Sequence, residues 1–235
     1  MSLTIDIAAN LFQVRELIAD SAARAGRDPA SIRLIAVSKT FPPERIMEAY
    51  DCGLRDFGEN RVQEFRQKFP QLRAAEATFH LIGHLQTNKV HQAMIFDWVQ
   101  TVDSEKLAFR LNAAAAQAGK KMAVLIEVKQ GEEETKTGVS EQETAALAAI
   151  VAAQDKLELK GLMTMPPLTR EPEGARPYFR RLRQLRDRLW DAGFPQLREL
   201  SMGMSRDFPI AIEEGATMLR IGTGLFGPRG AGVAI

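Results

Sequence analysis

The chain has 235 residues, 45% apolar and 26% charged, with no long polar or low-complexity tract; this excludes extended disorder and sets the expectation of one globular domain over residues 1–235. Its 31 basic and 30 acidic residues leave a net charge of +1, so no global field draws it to nucleic acid or an anionic membrane, and an anionic ligand must be held locally. The lone cysteine, Cys52, excludes an intrachain disulfide framework and a cysteine metal cluster, and Met1 to Ala25 lacks a signal-peptide pattern; a cytoplasmic protein is expected.

The first element in chain order is an amphipathic helix, Leu3 to Ala25, with Ile7, Leu11, Val14 and Ile18 on one stripe. It should pack on the outside of the domain. Short apolar segments rich in β-branched residues then alternate with segments of helical period, the rhythm of βα units on a parallel sheet. The strand candidates are Arg33 to Lys39, Asp56 to Asn60, Phe79 to Leu85, Trp98 to Asp103, Met122 to Val128, Leu159 to Met165, Glu199 to Ser205 and Met218 to Gly222. Runs such as LIAVS and AVLIEV suit strands covered on both faces. Between them, Pro42-Pro43 opens a helix, Thr87 and Ser104 can each cap one, and Ser140 with Glu143 forms a capping box. Gly53, Gly119, Gly193 and Gly215 follow helical stretches, where a left-handed glycine ends a helix. Eight units at a period of ~25–30 residues predict a single (β/α)₈ barrel of the TIM type with an extra N-terminal helix and no second domain. A doubly wound sheet would carry a glycine fingerprint after its first strand, and here that strand ends in Ser38-Lys39-Thr40.

In such a barrel, function sits where strands end and βα loops begin. Lys39 leaves an apolar strand there, and burial would lower its amine pKa and favour an aldehyde-trapping nucleophile. Taken alone, it reads as an ordinary lysine snorkelling at a strand end. Its neighbours reverse that reading. The seventh and eighth strands end in SMGMS and RIGTG, so Ser201 and Thr223 supply hydroxyls, Gly222 and Gly224 permit close backbone approach, and these two loops form the barrel's usual phosphate site. The same glycines would also serve a plain tight turn. Arg220 shares a face with Gly222 and needs an acceptor, either a pyridine nitrogen or, as a structural ion pair, Glu213 or Glu214.

LIAVSKT, FGEN, FHLIGHLQTNK, ETKTGVS, GLMTM, LSMGMSRD and RIGTGLFG occur in an order that resembles the pyridoxal phosphate homeostasis proteins, also called proline synthetase co-transcribed homologues, over nearly the whole chain. The resemblance implies a barrel like the N-terminal domain of alanine racemase, with pyridoxal 5′-phosphate (PLP) held on Lys39 as a Schiff base. Ser201, Gly222 and Thr223 would take the phosphate and Arg220 the ring nitrogen, with Asn60 near the cofactor; Met165 lies in the matching GLMTM segment, and His84 is a further candidate beside the cofactor. Arg61 and Lys129 depart from the family's pattern, on the open side of the pocket.

The remaining candidates carry less. His80 and His84, four residues apart on one strand, have no ligand cluster around them, and a packing role is the expectation for His80. The arginine run from Arg176 to Arg188 and the acidic loop Glu132 to Glu134 read as solvated faces, and Cys52 as a buried filler. Tyr50 and Tyr178 fall in predicted helices, so no tyrosine is placed as a second base for racemisation. An arginine on the ring nitrogen would also weaken PLP as an electron sink. These points favour a PLP-binding protein without robust catalysis, and the resemblance implies that it supplies PLP to apo-enzymes; a monomer or weak dimer is expected. The alternatives are a PLP-dependent amino-acid racemase or lyase, and a cofactor-free enzyme using Lys39 on a phosphorylated carbonyl substrate. Lys89 and Lys136 are candidate secondary PLP-reactive lysines.

Overall fold

The computed structural model describes residues 5–72, 76–131 and 137–228. Eight strands close into a barrel in sequence order: β1 (Arg33–Val37), β2 (Asp56–Glu59), β3 (Thr78–Leu81), β4 (Trp98–Val102), β5 (Met122–Glu127), β6 (Leu157–Met163), β7 (Glu199–Met204) and β8 (Met218–Ile221). Neighbours are parallel throughout, and β8 returns to β1 with Arg220 opposite Ile35 and Ile221 opposite Ala36. All eight strands lie where the periodicity predicts them. They end sooner than expected, β1 at Val37 and β3 at Leu81, because the chain turns at the rim into the loops that build the mouth.

The helices are α1 (Ile7–Arg24), α2 (Pro43–Asp51), α3 (Val62–Leu72), α4 (Glu105–Gln117), α5 (Thr144–Ala152), α6 (Arg176–Asp191), α7 (Phe208–Glu213) and the single turn α8 (Thr223–Phe226). Asp6 caps α1 through Ala9 N–H at 3.0 Å, so the helix begins later than the predicted Leu3. The anticipated stripe of Ile7, Leu11, Val14 and Ile18 is buried. Because α8 is too short to cover β8, α1 takes that place; it packs on α7 and α8, and Asn10 Nδ2 donates to Leu225 O at 2.9 Å. The extra helix therefore completes the outer ring.

Ser104 caps α4 by accepting from Leu107 N–H, and Ser140 and Glu143 exchange the two bonds of a capping box. Gly53, Gly119, Gly193 and Gly215 all end their helices with φ between 65° and 104°. The predicted cap at Thr87 is a correction: the β3–β4 connection holds two 3₁₀ turns, Thr87–Lys89 and Gln92–Ile95, and no α-helix. Val90, Ala93 and Phe96 are buried at a spacing of three, which matches the 3₁₀ period.

Alternation along the strands divides the core in two. Outward residues pack under the helices, where the Phe65 ring lies 4.6 Å from Phe96 and 4.8 Å from Phe79; each fully buried phenylalanine contributes roughly 1.5–3 kcal/mol. Inside the barrel, Ile35, Leu125, Met163 and Met218 form a separate apolar cluster, which makes the interior a packed core. No described helix is long and apolar enough to cross a membrane. Cys52 follows α2 partly exposed, so it is not the buried filler expected. The arginine run is also not merely solvated: Arg176, Arg180 and Arg183 converge on Glu214 at 3.2, 2.9 and 3.3 Å. Residues 132–134 and Lys136 lie outside the described residues.

Candidate functional site

Ile35 turns into the barrel, and β1 delivers the chain to the mouth at Val37, with Lys39 two residues further on in the turn that follows. Lys39 is half-buried, and the residues on either side of it are fixed. Ser38 donates its hydroxyl to Glu59 Oε1 at 2.9 Å, and its carbonyl accepts from Lys68 Nζ at 3.3 Å. Thr40 donates its N–H to Glu64 Oε1 at 2.6 Å and holds φ at +70°, an outlier for a β-branched residue. Lys68 joins both carboxylates, at 3.0 Å to Glu59 and 2.7 Å to Glu64. Burial pushes Glu59 above the usual carboxylate range, and Lys68 and Ser38 act against that push. The sequence reading missed this bracket. Its signal was the i, i+4 pair Glu64 and Lys68, which on an amphipathic helix resembles a solvated ion pair.

Arg220 lies beneath the mouth, almost wholly buried. Its Nη1 donates to Ser201 Oγ at 2.7 Å and its Nη2 to the Thr164 carbonyl at 2.9 Å. Burial lowers its pKa to about 10, with the charges of Asp207 and Glu127 opposing the change, so the guanidinium stays a cation at neutral pH. Glu213 and Glu214 are engaged by arginines of α1 and α6, which removes the ion-pair reading for Arg220. Ser201 differs from expectation as well. Its hydroxyl is fully buried and donates to Gln100 Oε1 at 2.6 Å, so it faces the barrel interior.

Strand β8 runs through Gly222 into the turn of α8, which exposes Thr223 at the rim. A Cβ on Gly222 would lie 3.5 Å from Val37 Cβ, which places the RIGTG loop beside the segment that carries Lys39. Ser205 of the β7 loop accepts Gly224 N–H at 3.1 Å and ties the two glycine loops together. The sequence reading passed over Ser205 in favour of Ser201. Gly203 between them has φ +90°.

Around the rest of the mouth, Asn60 follows β2 so close to the β3 loop that a Cβ on Gly83 would meet its carbonyl oxygen at 2.2 Å. Met165 stands exposed on the rim two residues past β6. His84 is not on β3 beside His80, as expected; it lies exposed in the following loop with Nδ1 3.4 Å from Asp103 Oδ2. Glu127, at the end of β5 across the barrel from β1, was not anticipated. Its Oε1 accepts from Thr137 at 2.9 Å, its buried Oε2 has no hydrogen-bond partner among the described residues, and burial raises its pKa. Ser201 and Arg220 thus lie on the adjoining strands β7 and β8, and Lys39, Gly222 and Thr223 follow the ends of β1 and β8, while His84 stands apart in the loop after β3.

A lysine at the rim, a buried guanidinium and a rim of glycines and hydroxyls suit a phosphorylated carbonyl compound. Residues 11–230 match the family of the alanine racemase N-terminal domain. The chain belongs to that family. Within it the chain falls among the pyridoxal phosphate homeostasis proteins: it is 46% identical over 220 residues to the one of Aquifex aeolicus, covering 93% of this chain and 96% of that one. Identity to the one of Escherichia coli K12 is 42% over 232 residues, covering 95% and 97%. Among solved structures, PipY of Synechococcus elongatus with PLP bound superposes with a TM-score of 0.82 at 37% identity, over 94% of this chain and all (100%) of that one. The Clostridium difficile alanine racemase, at 15% identity and a TM-score of 0.66 over 92% of this chain and 57% of that one, shares the fold.

Proposed function

We propose that the mouth holds PLP covalently through the amine of Lys39, and that the whole chain, 1–235, is one PLP-binding unit that stores the cofactor and supplies it to apo-enzymes. The observation that carries this reading is the closure of β1 on β8, which sets the Lys39 segment beside Gly222 and Thr223 with the Arg220 cation beneath them. The donor set fits the group: the Gly222 to Gly224 backbone, Thr223 and Ser205 suit the phosphate, and Arg220 suits a ring nitrogen that stays unprotonated. Bound PLP supplies an electrophilic aldehyde. The chain's own residues orient Lys39 and keep the floor of the site dry. The names of the relatives, and the PLP in the PipY structure, support the same reading.

The carrier role rests on where the two tyrosines stand, since neither is placed as a second base for racemisation. Tyr50 and Tyr178 sit on α2 and α6, outside the barrel wall. Glu127 is the one observation that favours the alternative, an amino-acid racemase or lyase, because it is a buried carboxyl facing the mouth from β5. Titration of the purified chain with PLP should give a stoichiometric absorbance band that is lost in Lys39→Ala. Incubating the loaded protein with a panel of amino acids should give no steady turnover. Turnover of any of them overturns the carrier reading in favour of the enzyme.

A further inference from the structure

A single file of buried polar side chains crosses the barrel interior beneath the site. Arg220 Nη1 donates to Ser201 Oγ at 2.7 Å, Ser201 Oγ to Gln100 Oε1 at 2.6 Å, and Gln100 Nε2 lies 3.1 Å from His80 Nδ1. His80 Nε2 lies 2.9 Å from Asp56 Oδ1 at the opposite end of the barrel. Ser201, Gln100 and His80 are wholly buried, and the indole of Trp98 stacks on His80 at 5.5 Å. Asp56 is the most exposed member of the file, its side chain 21% exposed.

The bonds leave one consistent assignment of protons. A guanidinium only donates, so Ser201 must accept from Arg220 and give its own hydrogen away. Its recipient must be the Gln100 carbonyl, which turns the Gln100 amide toward His80 and requires an unprotonated Nδ1 there. His80 is then the neutral tautomer with its proton on Nε2, donated to the Asp56 carboxylate. Every link donates in one direction, from the cation under the mouth to the carboxylate at the far end. Reversing any member would set two donors or two acceptors face to face in a buried place, which is costly.

We propose that Asp56, His80 and Gln100 are positioning residues: together they orient the Ser201 hydroxyl so that its lone pair holds Arg220 in place under the cofactor. The role rests on the reading of the mouth as a PLP site, but the proton assignment does not. In the unliganded protein at neutral pH, ¹⁵N NMR should find His80 protonated on Nε2 and bare on Nδ1; an Nδ1–H tautomer or an imidazolium overturns the proposal.

Titration with PLP tests the consequence. Gln100→Leu should weaken binding by ~10-fold, the cost of leaving a buried hydroxyl misdirected, and should shift the bound absorbance band while the adduct stays on Lys39. Asp56→Asn keeps an acceptor for His80 and should remain within about twofold of the parent, whereas Asp56→Leu should resemble Gln100→Leu. The Asp56 pair carries the same comparison should Gln100→Leu fail to fold. Parental affinity and an unshifted band in Gln100→Leu or Asp56→Leu overturn the proposal. If the parent itself takes up no PLP, the PLP-holding function is what fails, and the NMR result alone decides the proton assignment.

Discussion

Lys68 Nζ lies 3.0 Å from Oε1 of the fully buried Glu59, and the same ammonium accounts for the fixed backbone on both sides of Lys39. It bonds the Ser38 carbonyl directly and holds the Glu64 carboxylate that caps Thr40 N–H. Removing it should therefore cost stability and loosen the site together.

Lys68→Met is expected to destabilise the fold by ~3–5 kcal/mol, because it leaves the Glu59 charge buried without its partner. Adding Glu59→Gln to that variant should recover part of the loss, since the uncompensated charge is gone. Urea unfolding of the two variants checks both statements; equal stabilities would show that removal of Lys68 leaves no uncompensated charge at Glu59.

Gly203 and Gly193 both have positive φ, +90° and +104°, but only Gly203 is crowded, with Ala211 Cβ 2.6 Å from where a new Cβ would stand. Gly193→Ala should cost about 1 kcal/mol of backbone strain. Gly203→Ala should cost ~1–3 kcal/mol more through overpacking. Thermal melts of the two variants give the comparison directly.

Burial holds His80 below its ordinary 6.5, with Asp56 and Asp97 raising it and Arg33 lowering it further. A histidine with a depressed folded pKa contributes stability that is complete above the unfolded value and is lost as pH falls below it, when the unfolded chain takes up the proton. The limiting slope is ~1.4 kcal/mol per pH unit. Glu59 and Glu127 act in the opposite sense near 4.5, since their raised pKa values favour the protonated fold. Subtracting the pH profile of His80→Gln isolates the histidine: between pH 7.5 and 5, the parent should lose more stability than the variant, and parallel profiles would contradict this.

Ser205 joins the two glycine loops through Gly224 N–H, whereas Ser201 is spent inside the barrel. Ser205→Ala should weaken PLP binding by ~10-fold through loss of a hydrogen bond to a charged group. The dependence of affinity on added inorganic phosphate should weaken with it. An absorbance titration with phosphate as competitor reads both effects.

The barrel was legible because its evidence is repeated: eight apolar segments with caps and left-handed glycines at matching intervals admit few other folds. Lys39, Gly222 and Thr223 could be named as candidates because they follow strand ends, where a barrel of this type carries its binding groups. Ser201 and Ser205 could not be told apart in that way. They lie four residues apart on one strand and its loop, and the choice depends on Gln100, which comes from a different strand. Glu59 and Gln100 gain their meaning only from partners that closure of the barrel brings to them, and the one local signal of Lys68, its i, i+4 pairing with Glu64, resembles a solvated ion pair. That α1 packs outside the barrel was legible in its apolar stripe; that it stands in for a cover on β8 was not, because only the shortness of α8 turns an extra helix into a required one.

The central claim is that one amine at the rim of the first strand holds the cofactor. Loading the protein with PLP, reducing with borohydride and mapping the peptides tests it most directly. A single pyridoxyl adduct on the peptide carrying Lys39, absent from Lys39→Ala, is the expected result. An adduct confined to another lysine, or one that persists unchanged in Lys39→Ala, would contradict the account.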